Sequence, residues 1–292
     1  MNLNHNTRQL IALAAIATIT LTIDSCTNSK TENSSTNEIL LKEIKSIKVS
    51  SFEAIEENGN IEKKTKKGGG LPSENITIYN LQGKPIKWNS FNSDGSVHEE
   101  KLYVYDEKGN LVEKKENNLA GNYSYTNIYK YDEKDNMIEE SCFNSDGSLS
   151  LRQLYKYNDK NNIIELHQYN CDNIFYSKTL YTYDDKNHNI EQNQYDADNV
   201  AYNKWLYKYD EKGNMIEENY YSLYQSINDY RNTYKYDDKD NKIEENWHAS
   251  DGNPTKWNHK YTYDENGNWI KLIDFINDIP KYIEEREIEY FE

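Results

Sequence analysis

Acidic residues recur at a regular interval along this 292-residue chain, and they are the first side chains to weigh for chemistry. Asp106, Asp132, Asp184, Asp210, Asp237 and Asp264 each follow a tyrosine, and such a row would suit proton transfer or calcium. A calcium loop, however, needs another oxygen donor two residues further on. Lysine or asparagine stands there instead, and Lys108, Lys134, Lys160, Lys186, Lys212 and Lys239 would repel the ion. Aspartate and asparagine also bond their own backbone in tight turns, which accounts for the row without a ligand. The histidines are scattered: His98, His167, His188, His248 and His259 share no repeat position, and His5 lies near the amino terminus. None pairs with a recognisable nucleophile. The expectation is a protein that is not an enzyme, with no catalytic residue, no metal site and no cofactor.

Aromatic side chains are the other candidates. Tyr123, Tyr125, Tyr176, Tyr202, Trp205 and Trp257 fall outside the regular tyrosine positions, in the stretch that precedes the first strand of a unit. Rings exposed in a row would stack on the faces of sugars; rings that cover their neighbours would only pack the sheet. Both readings remain open from these residues.

These side chains are positioned by a repeat. Tyr79, Tyr105, Tyr131, Tyr157, Tyr183, Tyr209, Tyr236, Tyr263 and Tyr290 are equivalent; five steps of 26 residues are followed by three of 27. With that tyrosine as position zero, seven consecutive units carry a second tyrosine at minus 2, from Tyr103 to Tyr261. This period of two predicts a strand with both rings on one face. Position plus 4 is Gly, Asp or Asn throughout (Gly109, Asp135, Asn161, Gly213), the residues that tolerate a left-handed backbone, so a short hairpin loop is predicted there. A second strand begins at plus 7 (Ile138, Ile164, Ile216) and a second turn follows, as in Asn92-Ser-Asp-Gly95. The parity between plus 7 and plus 12 is mismatched, which suggests a bulge. The predicted architecture is all-β, an antiparallel meander of about eight to nine 26–27-residue hairpins forming a twisted or coiled open sheet. Tyrosine columns line its concave side, and the charged last strand, 284–292, blunts an exposed edge. Tyrosine is abundant (27 residues), so rings substitute for an aliphatic core.

The amino terminus reads as an address. The apolar run 10–23 is too short to span a membrane comfortably and suits a signal peptide, residues 1–25. The Asp24-Ser25-Cys26 that follows resembles the cleavage site of bacterial lipoproteins, which implies lipidation of Cys26 and membrane attachment through it. Residues 26–38 read as a flexible tether, 39–75 as a degenerate cap unit with a basic glycine-rich loop, and 76–292 as the repeat domain. Cys142 and Cys171 occupy non-equivalent positions and are predicted to be free thiols. A formal net charge of −16 argues against nucleic acid as a partner.

The motifs Tyr103-Val-Tyr-Asp-Glu-Lys-Gly-Asn110, Tyr207-Lys-Tyr-Asp-Glu-Lys-Gly-Asn214 and Tyr261-Thr-Tyr-Asp-Glu-Asn-Gly-Asn268 resemble the YD repeats of the Rhs family. That resemblance covers about residues 76–292. It implies a spiralling β-sheet and a surface, carbohydrate-binding or toxin-encapsulating role. Asn stands where the typical repeat has Gly-Arg, and the Rhs core-cleavage segment is missing, so a toxin shell does not fit. The functional expectation is a non-catalytic, lipid-anchored cell-envelope protein, at the outer membrane or cell surface, that binds polysaccharide or surface glycan. The alternative is a structural or protein-interaction scaffold, an adhesion or immunity factor, using the sheet edge or the acidic face to hold a surface protein.

Overall fold

The computed structural model describes residues 44–64, 74–119, 121–223, 229–249, 252 and 254–291. Cys26, the signal, the tether and most of the basic glycine-rich loop lie outside the described residues. Nineteen strands follow one another: β1 (Ile44–Glu57), β2 (Asn60–Lys64), β3 (Glu74–Tyr79), β4 (Pro85–Phe91), β5 (Val97–Tyr105), β6 (Leu111–Asn118), β7 (Tyr123–Tyr131), β8 (Met137–Asn144), β9 (Leu149–Tyr157) and β10 (Ile163–Tyr169). Then come β11 (Phe175–Tyr183), β12 (Asn189–Asp196), β13 (Ala201–Tyr209), β14 (Met215–Ser222), β15 (Tyr230–Tyr236), β16 (Lys242–Ala249), β17 (Thr255–Tyr263), β18 (Trp269–Ile276) and β19 (Ile279–Tyr290). From β3 onward every strand pairs antiparallel with the next, as the hairpin pattern predicts.

The turns form for the predicted reason. At plus 4 the backbone has positive φ in every unit, from +61° at Asp240 to +94° at Gly213. The Asp at plus 1, or Asn in the units of Asn80 and Asn158, ties the loop together: Asp132 Oδ1 accepts the backbone N–H groups of Lys134 and Asn136, each at 2.9 Å. The amide of Asn136 then reaches the next unit, donating to Asn161 Oδ1 at 3.3 Å, and Asn110 does the same to Asp135 at 3.1 Å. The recurrent aspartates are thus structural. The bulge is also present: Lys130 opposes Glu139 while Tyr131 opposes Met137, which leaves Ile138 as the extra residue. The carbonyl at this bulge is capped by the next unit's tyrosine. The hydroxyls of Tyr105, Tyr131, Tyr157, Tyr183, Tyr209 and Tyr236 donate to it at 2.6–2.8 Å. This is why the column is tyrosine and not phenylalanine.

The expectation of an open sheet is corrected. β1 pairs with β19 along one side, Ile47 opposite Ile288 and Phe52 opposite Ile283. On its other side it pairs with β2 and then β3, Ala54 opposite Lys63 and Ile47 opposite Thr77. β2 and β3 run in the same direction along one edge of β1, so they act as one interrupted strand. The nineteen strands therefore close as an eighteen-position barrel. Because the number is even, the first and last strands of the meander run antiparallel, and the closing pair has the same ladder as the rest. Residues 44–57 form the closing strand, and the charged last segment, from Glu284 to Tyr290, lies against β1 instead of facing solvent as an edge. Ile44 and Ile283, both fully buried, lie in the strands of this seam.

Closure separates an inner from an outer face. Between the paired tyrosines, Val104 and the lysines point outward; the side chains of Lys130, Lys156, Lys208 and Lys235 are 58–67% exposed. Each lysine meets a directly opposite glutamate, as in Lys130–Glu139 (3.0 Å) and Lys235–Glu244 (2.7 Å). A lipid-facing wall is an apolar band, and this ladder of charges is its opposite. The tyrosine face lies inward, where burial pushes the hydroxyls of Tyr103 and Tyr181 up to about 12. Yet none of the paired column tyrosines is fully buried. Barrels of 16–18 strands are wide enough to enclose an aqueous channel, which accounts for that partial exposure.

Candidate inner-face aromatic site

The register places all six aromatic candidates on the inner wall or at its bulges, near the rim opposite the Asp-x-x-Gly loops. It divides them into three groups. Tyr123 and Tyr125 form a pair on β7, with centroids 5.6 Å apart, and both are exposed. Trp257 on β17 lies parallel to Tyr282, with centroids 6.4 Å apart. The third group is the largest. Trp205 on β13 is directly opposite Tyr220 on β14, which is directly opposite Tyr230 on β15. Successive centroids are 5.1 Å apart, and the Tyr220 and Tyr230 rings are stacked at 23°. Tyr202, on β13 with Trp205, hydrogen-bonds Ser177 on β11, and the exposed Tyr176 lies beside it. The six residues do not form one continuous stripe.

Polar groups orient the third cluster. Tyr220 donates to Asn203 Oδ1 at 2.7 Å, while Tyr230 and Tyr234 donate to the two oxygens of Glu218 at 3.3 and 3.1 Å. Burial, and secondarily the Glu218 charge, push both of the latter hydroxyls up, so they remain neutral donors at physiological pH. Elsewhere on this face Glu140 is raised by burial, and Arg286, lying over the Trp269 ring at 3.2 Å, is lowered by burial to about 10. Among the described residues no three His, Cys, Asp or Glu side chains converge as a metal site. His259 meets Asp274 at 2.6 Å and His167 contacts Glu165, but neither pair addresses a nucleophile. Cys142 is half-buried, Cys171 is exposed, and both are free.

Tyr220, Tyr230 and Tyr282 were missed by sequence reasoning. Tyr220 stands opposite Trp205, whereas Tyr230 and Tyr282 lie two strands away from Trp205 and Trp257, and register across an irregular 27-residue step is not legible without the fold.

No model of a known protein family matches the chain, and no curated protein does. Solved structures of similar strand arrangement include a porin-like protein from Bacteroides uniformis (10% identity, TM-score 0.44, covering 84% of this chain and 98% of that one). Another is a porin-like protein from Bacteroides vulgatus (9% identity, TM-score 0.35, 85% and 98%). A third is the Photorhabdus luminescens Tc holotoxin pore (14% identity, TM-score 0.29, 80% of this chain but 14% of that one). At these scores nothing about function travels from them to this chain.

Proposed function

We propose that this chain is a non-catalytic, lipid-anchored protein of the bacterial cell envelope, a YD-like repeat barrel that binds polysaccharide or surface glycan on its inner wall. The observation that carries the reading is the Trp205–Tyr220–Tyr230 cluster: three neighbouring rings, half-exposed toward the lumen and flanked by amide and carboxylate groups. Apolar ring faces beside fixed hydrogen-bonding groups are the combination that recognises a sugar, whose C–H face is apolar and whose edge is hydroxylated. Attachment through Cys26 rests on the sequence alone. It fits a barrel whose charged outer wall suits water and would need a separate hold on a membrane. The scaffold alternative loses one of its two surfaces, because the described strands leave no open sheet edge running the length of the barrel.

The test is a glycan and polysaccharide array probed with the full-length protein and with Trp205→Ala and Tyr220→Ala. Saturable binding to a carbohydrate class, weakened about tenfold or more in both variants with the thermal midpoint retained, is the expected outcome. A blank array from a folded protein would transfer the case to the scaffold reading.

A further inference from the structure

Resting on the carbohydrate reading above, we propose that the inner face of β9–β13 is the binding panel and that its ligand is an uncharged glycan. Charge is distributed unevenly on the inner wall. On one side of the panel Lys101, Lys114, Glu116 and Glu140 face the lumen, and on the other Glu218, Lys242 and Glu245 do. Across five consecutive strands between them, the inward positions hold only amides, hydroxyls and rings, apart from aliphatic Leu151, Ile163 and Leu166 and one acid, Asp196, at the rim end of β12, where its carboxylate accepts the turn's Asp198 and Val200 N–H groups. The same strands are heavily charged on their outer face, with Arg152, Lys156, Glu165, Lys178, Glu191 and Lys204. The lack of charge inside is therefore not a property of the segment's composition. It is confined to one face.

The panel is built in cross-strand rows. Tyr181, Gln192 and Trp205 stand directly opposite one another in sequence, with Tyr220 of β14 bordering the row, and beside them run Thr179, Gln194 and Asn203. Neighbouring residues in such a row are about 4.8 Å apart, close to the length of one sugar ring, so a chain laid across the strands would meet one side chain per sugar. Ser177 and Thr179 are buried and form the floor. Gln168 and Gln194 stand beside them, their side-chain oxygens accepting from Ser177 at 2.7 Å and from Asn203 at 3.0 Å. Among the described residues their NH2 groups donate to nothing, which leaves donors for sugar hydroxyls. No cation is present to neutralise a carboxylate or sulfate lying on the panel, so a charged polymer would lose its hydration without compensation.

The full chain, purified in detergent, is titrated by calorimetry with neutral polymers (dextran, laminarin, arabinoxylan) and acidic ones (polygalacturonate, alginate). The expected result is saturable binding of a neutral polymer, with the acidic ones at least about tenfold weaker. Gln192→Glu and Gln194→Glu, nearly isosteric and half-exposed, should each weaken the neutral polymer about fivefold or more, while Asn193→Ala on the outer face has no effect. Equal or tighter binding of the acidic polymers would overturn the panel and leave the glycan reading intact. So would neutral binding that ignores both glutamine variants. No binding of any polymer by a folded chain would overturn both.

Discussion

The tyrosines at position zero do two jobs with one side chain. The ring covers the inner wall and the hydroxyl caps the carbonyl left over by the preceding unit's bulge, as Tyr157 does for Met137 at 2.6 Å. From the sequence, a core role for Tyr157 implies a loss of about 3–5 kcal/mol on truncation to alanine. Partial exposure to the lumen lowers that expectation. Tyr157→Phe should cost about 0.5–1.5 kcal/mol, the worth of the hydrogen bond, and Tyr157→Ala about 2–4 kcal/mol, read from denaturant midpoints. An alanine variant within about 1 kcal/mol of the parent would mean that the ring supports nothing.

At the scale of the element, the hairpin is the unit that the chain copies, and its loop is specified twice over. The left-handed position demands Gly, Asn or Asp, and where it is Asn or Asp the side chain also receives the amide of the preceding unit. The two contributions separate at Asn161, where φ is +62°. Asn161→Ala should cost about 1–2 kcal/mol, because a β-carbon is strained in that conformation. Asn161→Gly keeps the conformation and loses only the ladder bond from Asn136, so its change should stay within about 0.5 kcal/mol in chemical denaturation. Equal losses in the two variants would assign the position to the ladder and not to the backbone.

For the whole molecule, the decisive contact is β1 between β19 and β3. Ser50 and Glu285 are direct partners across this seam on the outer face. Opposed residues in an antiparallel pair have α-carbons about 4.5–5.5 Å apart, within reach of a disulfide. Ser50→Cys combined with Glu285→Cys should therefore oxidise within one chain and migrate faster on a non-reducing gel. Crosslinking only between chains would contradict closure.

The hairpin, its turns, the bulge and the tyrosine columns were legible in the sequence because each depends on contacts within one unit or between adjacent ones, and the same residues recur 26 or 27 positions later. Closure was not. It depends on residues 44–57, which do not repeat, finding a partner more than two hundred residues away, and no local propensity encodes that pairing. The glutamates and Arg286 of 284–292 read as protection for an exposed edge; in the fold those from Glu284 to Glu289 are shared between the outer ladder and the inner wall of a seam. The candidate site was half legible. Residue type marked Trp205 and Trp257 as irregular rings, but only the register of the closed sheet set Tyr220 and Tyr230 beside Trp205 and turned all of them toward the lumen. A sequence of this kind determines the repeating unit, whereas the curvature accumulated over eighteen strand positions decides which face is inside.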